Sequence, residues 1–220
     1  MIVETMSYTE IATCFRKELV KYVPKIQAFA DKFSSTVKKT RMYPVSRTYT
    51  FDTKDKLRIV MHFVAQKRSD WKEPKFCIFG TYTLKDGMYA VMLGGVNDSE
   101  VDIFIPHFFE RYRERIVKDS SLSGTELLIH YFSNNPVMYW EHATSSHFLA
   151  YKKYESDDVT PLAARIGTGC CFAEMVEHGI FVFKTVISDE MLKEGQQTRI
   201  FAEMEAKRHR QSVEEGFKGR

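Results

Sequence analysis

Apolar side chains recur at steps of three and four along residues 11–33: Ile11, Phe15, Leu19, Tyr22, Ile26, Phe29 and Phe33. This spacing predicts an amphipathic helix whose apolar stripe must be buried against another element. Ser7 and Glu10 form a capping box at its start. Pro24 is expected to kink the helix or to split it in two. The stripe therefore requires a sheet or further helices downstream to pack on it.

Strand-like sequence follows this helix. Side chains that are β-branched or aromatic are concentrated in four segments, residues 47–51, 57–65, 76–84 and 88–95. Asp86 and Gly87 carry the signal of a tight hairpin turn between the last two segments. We therefore expect an antiparallel meander of three or four strands.

Helical signals occupy the middle of the chain. Pro106 suits the first turn of a helix over residues 107–118. Ser123 and Glu126 form a second capping box, which predicts a helix that ends before Pro136. Two central helices are therefore expected.

A second strand-like block comes next. Its apolar and alternating residues form three segments, residues 147–154, 163–175 and 180–187. The last two predict a hairpin closed at Gly179. Gly167 and Gly169 are expected to bend the first strand of that hairpin or to let a ligand approach its backbone. Ser188 or Asp189 then caps a final helical region.

The predicted order is an N-terminal helix, an antiparallel meander, two central helices, a second antiparallel meander and a C-terminal helix. Segregated runs of strands and helices predict the α+β class. A boundary between residues 1–98 and residues 99–220 would divide the chain into two domains. One continuous domain is the favoured alternative, because the N-terminal helix needs a partner surface.

Composition excludes several classes of protein. The chain has 220 residues, of which 44% are hydrophobic and 28% charged, as in ordinary soluble globular proteins. Its 17 Phe, 11 Tyr and 10 Met exceed what a disordered chain carries. No uncharged apolar window approaches a membrane span, and no secretory signal is visible. The four cysteines lack zinc-ligand spacing. Reduced thiols, no cofactor and a cytoplasmic bacterial or phage setting are expected.

The overall net charge is only +3, but basic residues cluster locally. Residues 32–50 contain no acidic residue and five basic ones, Lys32, Lys38, Lys39, Arg41 and Arg47. A solvated basic loop is one interpretation. An electrostatic footprint for RNA phosphates or another polyanion is the other.

The first central helix is the segment with the most chemistry. His107, Arg111 and Arg115 are spaced four apart, so they share one face of a helix. A histidine can move a proton near neutral pH, and arginines can hold phosphate oxygens. The alternative interpretation is that the helix forms surface ion pairs, namely Glu110–Arg113, Arg111–Glu114 and Glu114–Lys118.

Polar and aromatic residues of the second strand block could complete a cleft with this face. Such a cleft suits RNA, whose bases stack on aromatic rings and whose phosphates bind arginine. RNA supplies its own nucleophile, so cleavage needs only proton transfer and charge stabilisation. The predicted catalytic residues are His107, Arg111, Arg115 and Thr185. The predicted substrate-binding residues are Tyr112, Tyr151, Lys153, Lys184, Lys38, Lys39 and Arg41.

Residues 101–192 contain the segment His107-Phe-Phe-Glu-Arg-Tyr-Arg-Glu-Arg115, a second helix and a meander ending in Phe183-Lys-Thr-Val-Ile-Ser188. This order resembles the metal-independent nuclease domains of the barnase, colicin and RelE kind from phage and mobile elements. The resemblance implies a histidine and arginines near the helix, a threonine or lysine in the late strands, and no metal. The first 100 residues have no counterpart in a minimal toxin of this kind.

Three functions compete at this point. The first is an endoribonuclease that cleaves RNA phosphodiesters without metal, with RNA or another polyanion as its partner and a protein partner or inhibitor as a further possibility. The second is a non-enzymatic phage or mobile-element protein that binds a partner or serves a structural role. The third is a metal-assisted hydrolase that uses His142 and His147, which lie five residues apart. No membrane partner is expected.

Overall fold

The computed structural model describes residues 2–94, 99–135, 139–142, 160–167 and 169–191. The helices are α1 (Tyr8–Lys39), α2 (Pro106–Tyr112) and α3 (Gly124–Asn134). The first strands are β1 (Val45–Asp52), β2 (Arg58–Ala65), β3 (Lys75–Leu84), β4 (Gly87–Gly94) and β5 (Glu100–Phe104). The remaining strands are β6 (Tyr139–His142), β7 (Thr160–Ile166), β8 (Gly169–Glu177) and β9 (Ile180–Ser188). Shorter helical turns span Arg68–Trp71, Arg113–Val117 and Asp189–Met191.

The nine strands that lie in the described residues belong to one mixed sheet in the order β1-β2-β3-β4-β5-β9-β8-β7-β6. Strands β5 and β9 pair in parallel and join the two predicted meanders. The other neighbours pair antiparallel. The α+β class is therefore confirmed. Because β4 and β5 pair directly, a boundary between residues 98 and 99 would fall between two hydrogen-bonded strands.

Helix α1 begins as the capping box predicts. The Ser7 side chain accepts from the backbone N–H of Glu10, and the Glu10 carboxylate accepts from the backbone N–H of Ser7 at 2.7 Å. Of the two outcomes predicted at Pro24, a kink or a split, the split does not occur, because the helix continues through Pro24 to Lys39. Pro24 lies on the exposed side of α1, so water can bind the carbonyl that loses its helical partner there.

Two apolar cores lie on opposite faces of the sheet, because successive residues of a strand point to opposite sides. On β2, Ile59 and Met61 belong to the core under α1, whereas Val60 belongs to the core under α2 and α3. Phe15 of α1 and Tyr131 of α3 are fully buried in the first and second core, respectively. The sheet is therefore the middle layer between α1 on one side and α2 with α3 on the other.

The single strand predicted over residues 163–175 was wrong. The chain instead reverses at Gly167 between β7 and β8, which pair antiparallel. A Cβ on Gly169 would lie 2.2 Å from the carbonyl oxygen of Ile187, so the glycine lets β8 approach β9 closely. The predicted turn at Gly179 is confirmed by its φ of 76°. The predicted strand over residues 147–154 and the C-terminal helix lie outside the described residues.

The central helices follow their sequence signals with one difference. Ser123 and Glu126 form the second capping box at the start of α3. Pro106 occupies the first turn of α2, as predicted. The α-helical geometry ends at Tyr112, however, and a π-helical turn over Arg113–Val117 continues it. This change of helical step alters the direction in which the arginines of the turn project.

Candidate nucleic-acid interface

The predicted phosphate-binding face of α2 is occupied by ion pairs. The Arg111 Nη1 lies 2.6 Å from the Glu114 carboxylate, and the His107 Nδ1 lies 3.4 Å from the Glu110 carboxylate. Arg111 Nε also donates to His107 Nε2 at 3.2 Å. The four side chains are partly or largely exposed. The guanidinium that was expected to hold phosphate already holds a carboxylate of its own helix.

Arg115 and Thr185 come together, but in a contact that joins two structural elements. Arg115 Nη1 donates to the carbonyl oxygen of Val186 at 2.8 Å and lies 3.5 Å from the Thr185 hydroxyl. The side chain of Arg115 thus attaches the π-helical turn to β9. It does not follow the line of His107 and Arg111, because the helix changes its step before it.

The other predicted residues of this cleft are not assembled into one surface. Tyr112 is 1% exposed, and its hydroxyl lies 3.0 Å from His130 Nδ1. Burial raises the pKa of Tyr112 to about 12, so the ring is a neutral core group. Lys184 pairs with Glu174 at 3.0 Å. The two remaining predicted contacts, Tyr151 and Lys153, lie outside the described residues.

A different part of the molecule concentrates positive charge. Residues 21–75 contain fourteen lysines and arginines against five aspartates and glutamates, although the whole chain has a net charge of only +3. The rest of the chain is therefore net negative. The basic segment comprises the second half of α1, the strands β1 and β2 and the 3-10 turn Arg68–Trp71. Sequence reasoning found only its middle, residues 32–50, because it searched for a run without acidic residues.

The fold brings these elements to one end of the sheet, where β1 is the edge strand. Phe29 of α1 stacks on Tyr49 of β1, with ring centroids 4.7 Å apart. Phe33 of α1 stacks on Phe63 of β2, with centroids 5.4 Å apart. The last turns of α1 then reach the 3-10 turn, where Lys38 meets Trp71. We call this surface the basic end. Its exposed cationic residues include Lys25, Lys32, Lys38, Lys39, Arg41 and Arg47.

Aromatic rings hold three of these lysines in place. The Nζ of Lys25 lies 4.2 Å from the centroid of the Phe51 ring, and that of Lys38 lies 3.6 Å from the Trp71 ring. The Nζ of Lys32 lies 5.7 Å from the Tyr49 ring. A ring supports the lysine stem without neutralising its charge. None of the three lysines forms an ion pair with another described residue.

Three acidic residues of this segment, Asp31, Asp52 and Asp70, are engaged elsewhere. Arg58 donates to Asp52 at 2.8 Å, and this bond lowers the pKa of Asp52. Asp70 accepts from the backbone N–H groups of Gln66 and Lys67 at 2.8 and 3.1 Å, respectively. Asp31 accepts from the side-chain amide of Gln27 at 3.1 Å. The lysines of the basic end therefore keep their charge available to a partner.

Comparisons with protein-family models, with curated proteins and with solved structures find no match. In the part of the chain that the structure describes, no three His, Cys, Asp or Glu side chains are grouped closely enough to share a metal ion. The predicted metal pair, His142 and His147, lies outside the described side chains, so it stays a prediction. None of the described helices has the length and apolar character needed to cross a membrane.

Proposed function

We propose that this protein is a non-catalytic RNA-binding protein and that the basic end is its interface. The observation that carries the proposal is the set of lysines held over aromatic rings, Lys25, Lys32 and Lys38, with no carboxylate partner among the described residues. Lysines that meet phosphates release the counterions condensed on a nucleic acid, and this release drives binding.

The arrangement of the charges favours a long polyanion over a small one. Lys25 and Lys38 lie on one helix and are separated by about 20 Å along its axis, at 1.5 Å per residue. Arg41 and Arg47 extend the same surface towards the edge strand β1. A compact anion could contact only part of such a row, whereas consecutive phosphates of one strand can contact all of it.

Fluorescence anisotropy with a labelled oligouridine of about a dozen nucleotides tests this function. Affinity should fall as salt rises. Replacement of Lys38, Lys39 and Arg41 by Gln should reduce the slope of log affinity against log salt by about 2, because each neutralised phosphate of a single strand contributes about 0.7 to that slope.

The matched control replaces Lys17, Lys85 and Lys118 by Gln, which removes the same charge outside the basic end. We expect this control to retain nearly the parent slope. Absence of binding at low salt would overturn the proposal. Equal reductions of slope in the two triple variants would overturn the assignment of the interface.

Metal-independent cleavage of RNA is a second candidate function, supported by one contact. Arg111 Nε donates to His107 Nε2, so the Nδ1 of His107 carries the proton and faces Glu110. The lone pair of Nε2 is the site that would accept a proton from a bound ribose, and Arg111 would have to release it first. The assay for it is the appearance of fragments with a 2′,3′-cyclic phosphate or 3′-phosphate end in excess EDTA.

A further inference from the structure

Phe76 is a large aromatic side chain that the fold leaves on the surface. It is 62% exposed, although it lies within the sheet, near the start of β3. Its ring stacks on Phe63 of β2 with centroids 5.7 Å apart and an angle of 29° between the planes. Phe63 in turn stacks on Phe33 of α1. The neighbouring core thus holds one side of the Phe76 ring, while the rest of the ring faces solvent.

The cross-strand register places Phe76 on the basic end. Arg47 of β1 lies opposite Phe63, and Phe63 lies opposite Phe76 on β3. Directly paired residues share one face of a sheet, so Arg47 and Phe76 face the same side. They are separated by two strand spacings, or about 10 Å. Lys75, the residue before Phe76, is also exposed.

We propose that Phe76 is a base-stacking platform and that the basic end therefore binds single-stranded RNA in preference to duplex. This inference rests on the proposed function, since the surrounding cations supply the contacts to phosphate. In a single strand, an unstacked base can lie on an aromatic ring while the adjoining phosphates bind lysine and arginine. In a duplex, every base is already paired and stacked, so only the phosphates can contact the surface.

The packing of Phe76 makes such a platform efficient. A ring already fixed by Phe63 loses little conformational freedom when a base covers it, so less of the stacking energy is spent on ordering the side chain. An aromatic ring also accepts any base, because every base presents a flat face. We therefore expect a preference for single strands with little discrimination between sequences.

Phe76→Leu tests the platform, since it keeps an apolar side chain and removes the flat ring. Affinity for the labelled oligouridine should fall about 5- to 150-fold, the range for removal of one stacked base. Affinity for heparin, which carries anionic groups but no bases, should not change. Phe76→Trp, which keeps a flat ring at this position, should bind the RNA about as tightly as the parent does. Val20→Ala, at a position 74% exposed on α1, is the control for a general reduction of exposed apolar surface and should bind RNA as the parent does.

The outcomes separate this inference from the proposed function. If Phe76→Leu binds oligouridine as tightly as the parent, or if the parent binds an RNA duplex as tightly as a single strand, the platform is overturned while binding by the basic end stands. If the affinity of Phe76→Leu falls equally for heparin and RNA, the ring acts on the charged surface as a whole, and the platform is again overturned. If the parent binds neither heparin nor RNA, both proposals fall.

Discussion

The Nζ of Lys38 lies 3.6 Å from the centroid of the Trp71 ring, so the last turn of α1 and the 3-10 turn between β2 and β3 meet through a cation and an aromatic face. The adjacent Lys39 is exposed as well and has no such ring contact among the described residues. The two neighbouring lysines therefore provide a matched comparison.

A double-mutant cycle with Lys38→Gln and Trp71→Leu should show a coupling of about 0.5–1 kcal/mol in the free energy of unfolding, because the pair makes a cation–π contact. The measurement is urea denaturation followed by circular dichroism. The same cycle with Lys39→Gln should give a coupling near zero. Equal couplings for the two lysines would show that the Trp71 contact contributes nothing specific.

Asp102 predicts a dependence of stability on pH. Its side chain is 2% exposed in β5, and its Oδ1 has no hydrogen-bond partner among the described residues. Burial, followed by the nearby charge of Glu100, raises the pKa of Asp102 to about 8. The folded state therefore binds a proton that the unfolded state, with a pKa of about 3.9, releases.

It follows that this contribution to stability is fully present below about pH 4 and is lost as pH rises towards about 8. Asp102→Asn removes the charge, so its free energy of unfolding should exceed that of the parent by a growing margin, up to a few kcal/mol, as pH rises through this window. Urea midpoints measured across the window test this. Asp119→Asn is the control with the opposite sign, since bonds from Ser121 lower the pKa of Asp119. A constant difference between Asp102→Asn and the parent would contradict a raised pKa.

The two glycines at the β7–β8 reversal should respond differently to a methyl group. Gly169→Ala places its Cβ 2.2 Å from the carbonyl oxygen of Ile187, a backbone atom, and should cost roughly 3 kcal/mol or more. Gly167→Ala meets its nearest atom at 3.6 Å and should change stability little. Thermal melts of the two variants test the reversal, and equal stabilities would argue against the close approach of β8 to β9.

We expect RNA to remain intact in the binding assays, because Arg111 is already paired with Glu114 and Arg115 is bound to the backbone of β9. Gel analysis after prolonged incubation in excess EDTA checks this. EDTA-resistant cleavage that falls about 10²–10⁴-fold in His107→Ala would instead establish the second candidate function. A contaminating nuclease would cleave equally in preparations of the parent and of every variant. Arg113→Lys, at an arginine that donates to the carbonyl oxygen of Leu122, is the control preparation and should cleave as the parent does.

Local signals predicted much of the fold, because each depends on a few adjacent residues. Both capping boxes, at Ser7 and Ser123, and the hairpin turn before Gly87 occur where the sequence places them. The parallel pairing of β5 with β9 was not predicted, since nothing within either strand encodes its distant partner. The reversal at Gly167 was missed because apolar residues continue on both sides of it.

In the candidate site, too, local spacing predicts some contacts, whereas others depend on the fold. Of the three ion pairs that spacing offered for this helix, Arg111–Glu114 is present, because residues three apart on a helix are neighbours. Glu110 lies beside His107 and not Arg113, and Lys118 pairs with Glu190 and not Glu114. The basic end could not be predicted without the fold, since Lys38 and Trp71 meet only when α1 lies across β1 and β2. The exposure of Phe76 is likewise a property of the tertiary structure, which the strand pattern of β3 cannot reveal.

The parallel join between β5 and β9 also sets an order of events during synthesis. Strands β1 to β4 pair with close neighbours in the chain, so they can assemble while the ribosome is still adding later residues. Strand β5 must wait for Val182 and its neighbours before its second edge is covered. Until then that edge stays open beside Asp102, a residue that is buried in the finished sheet.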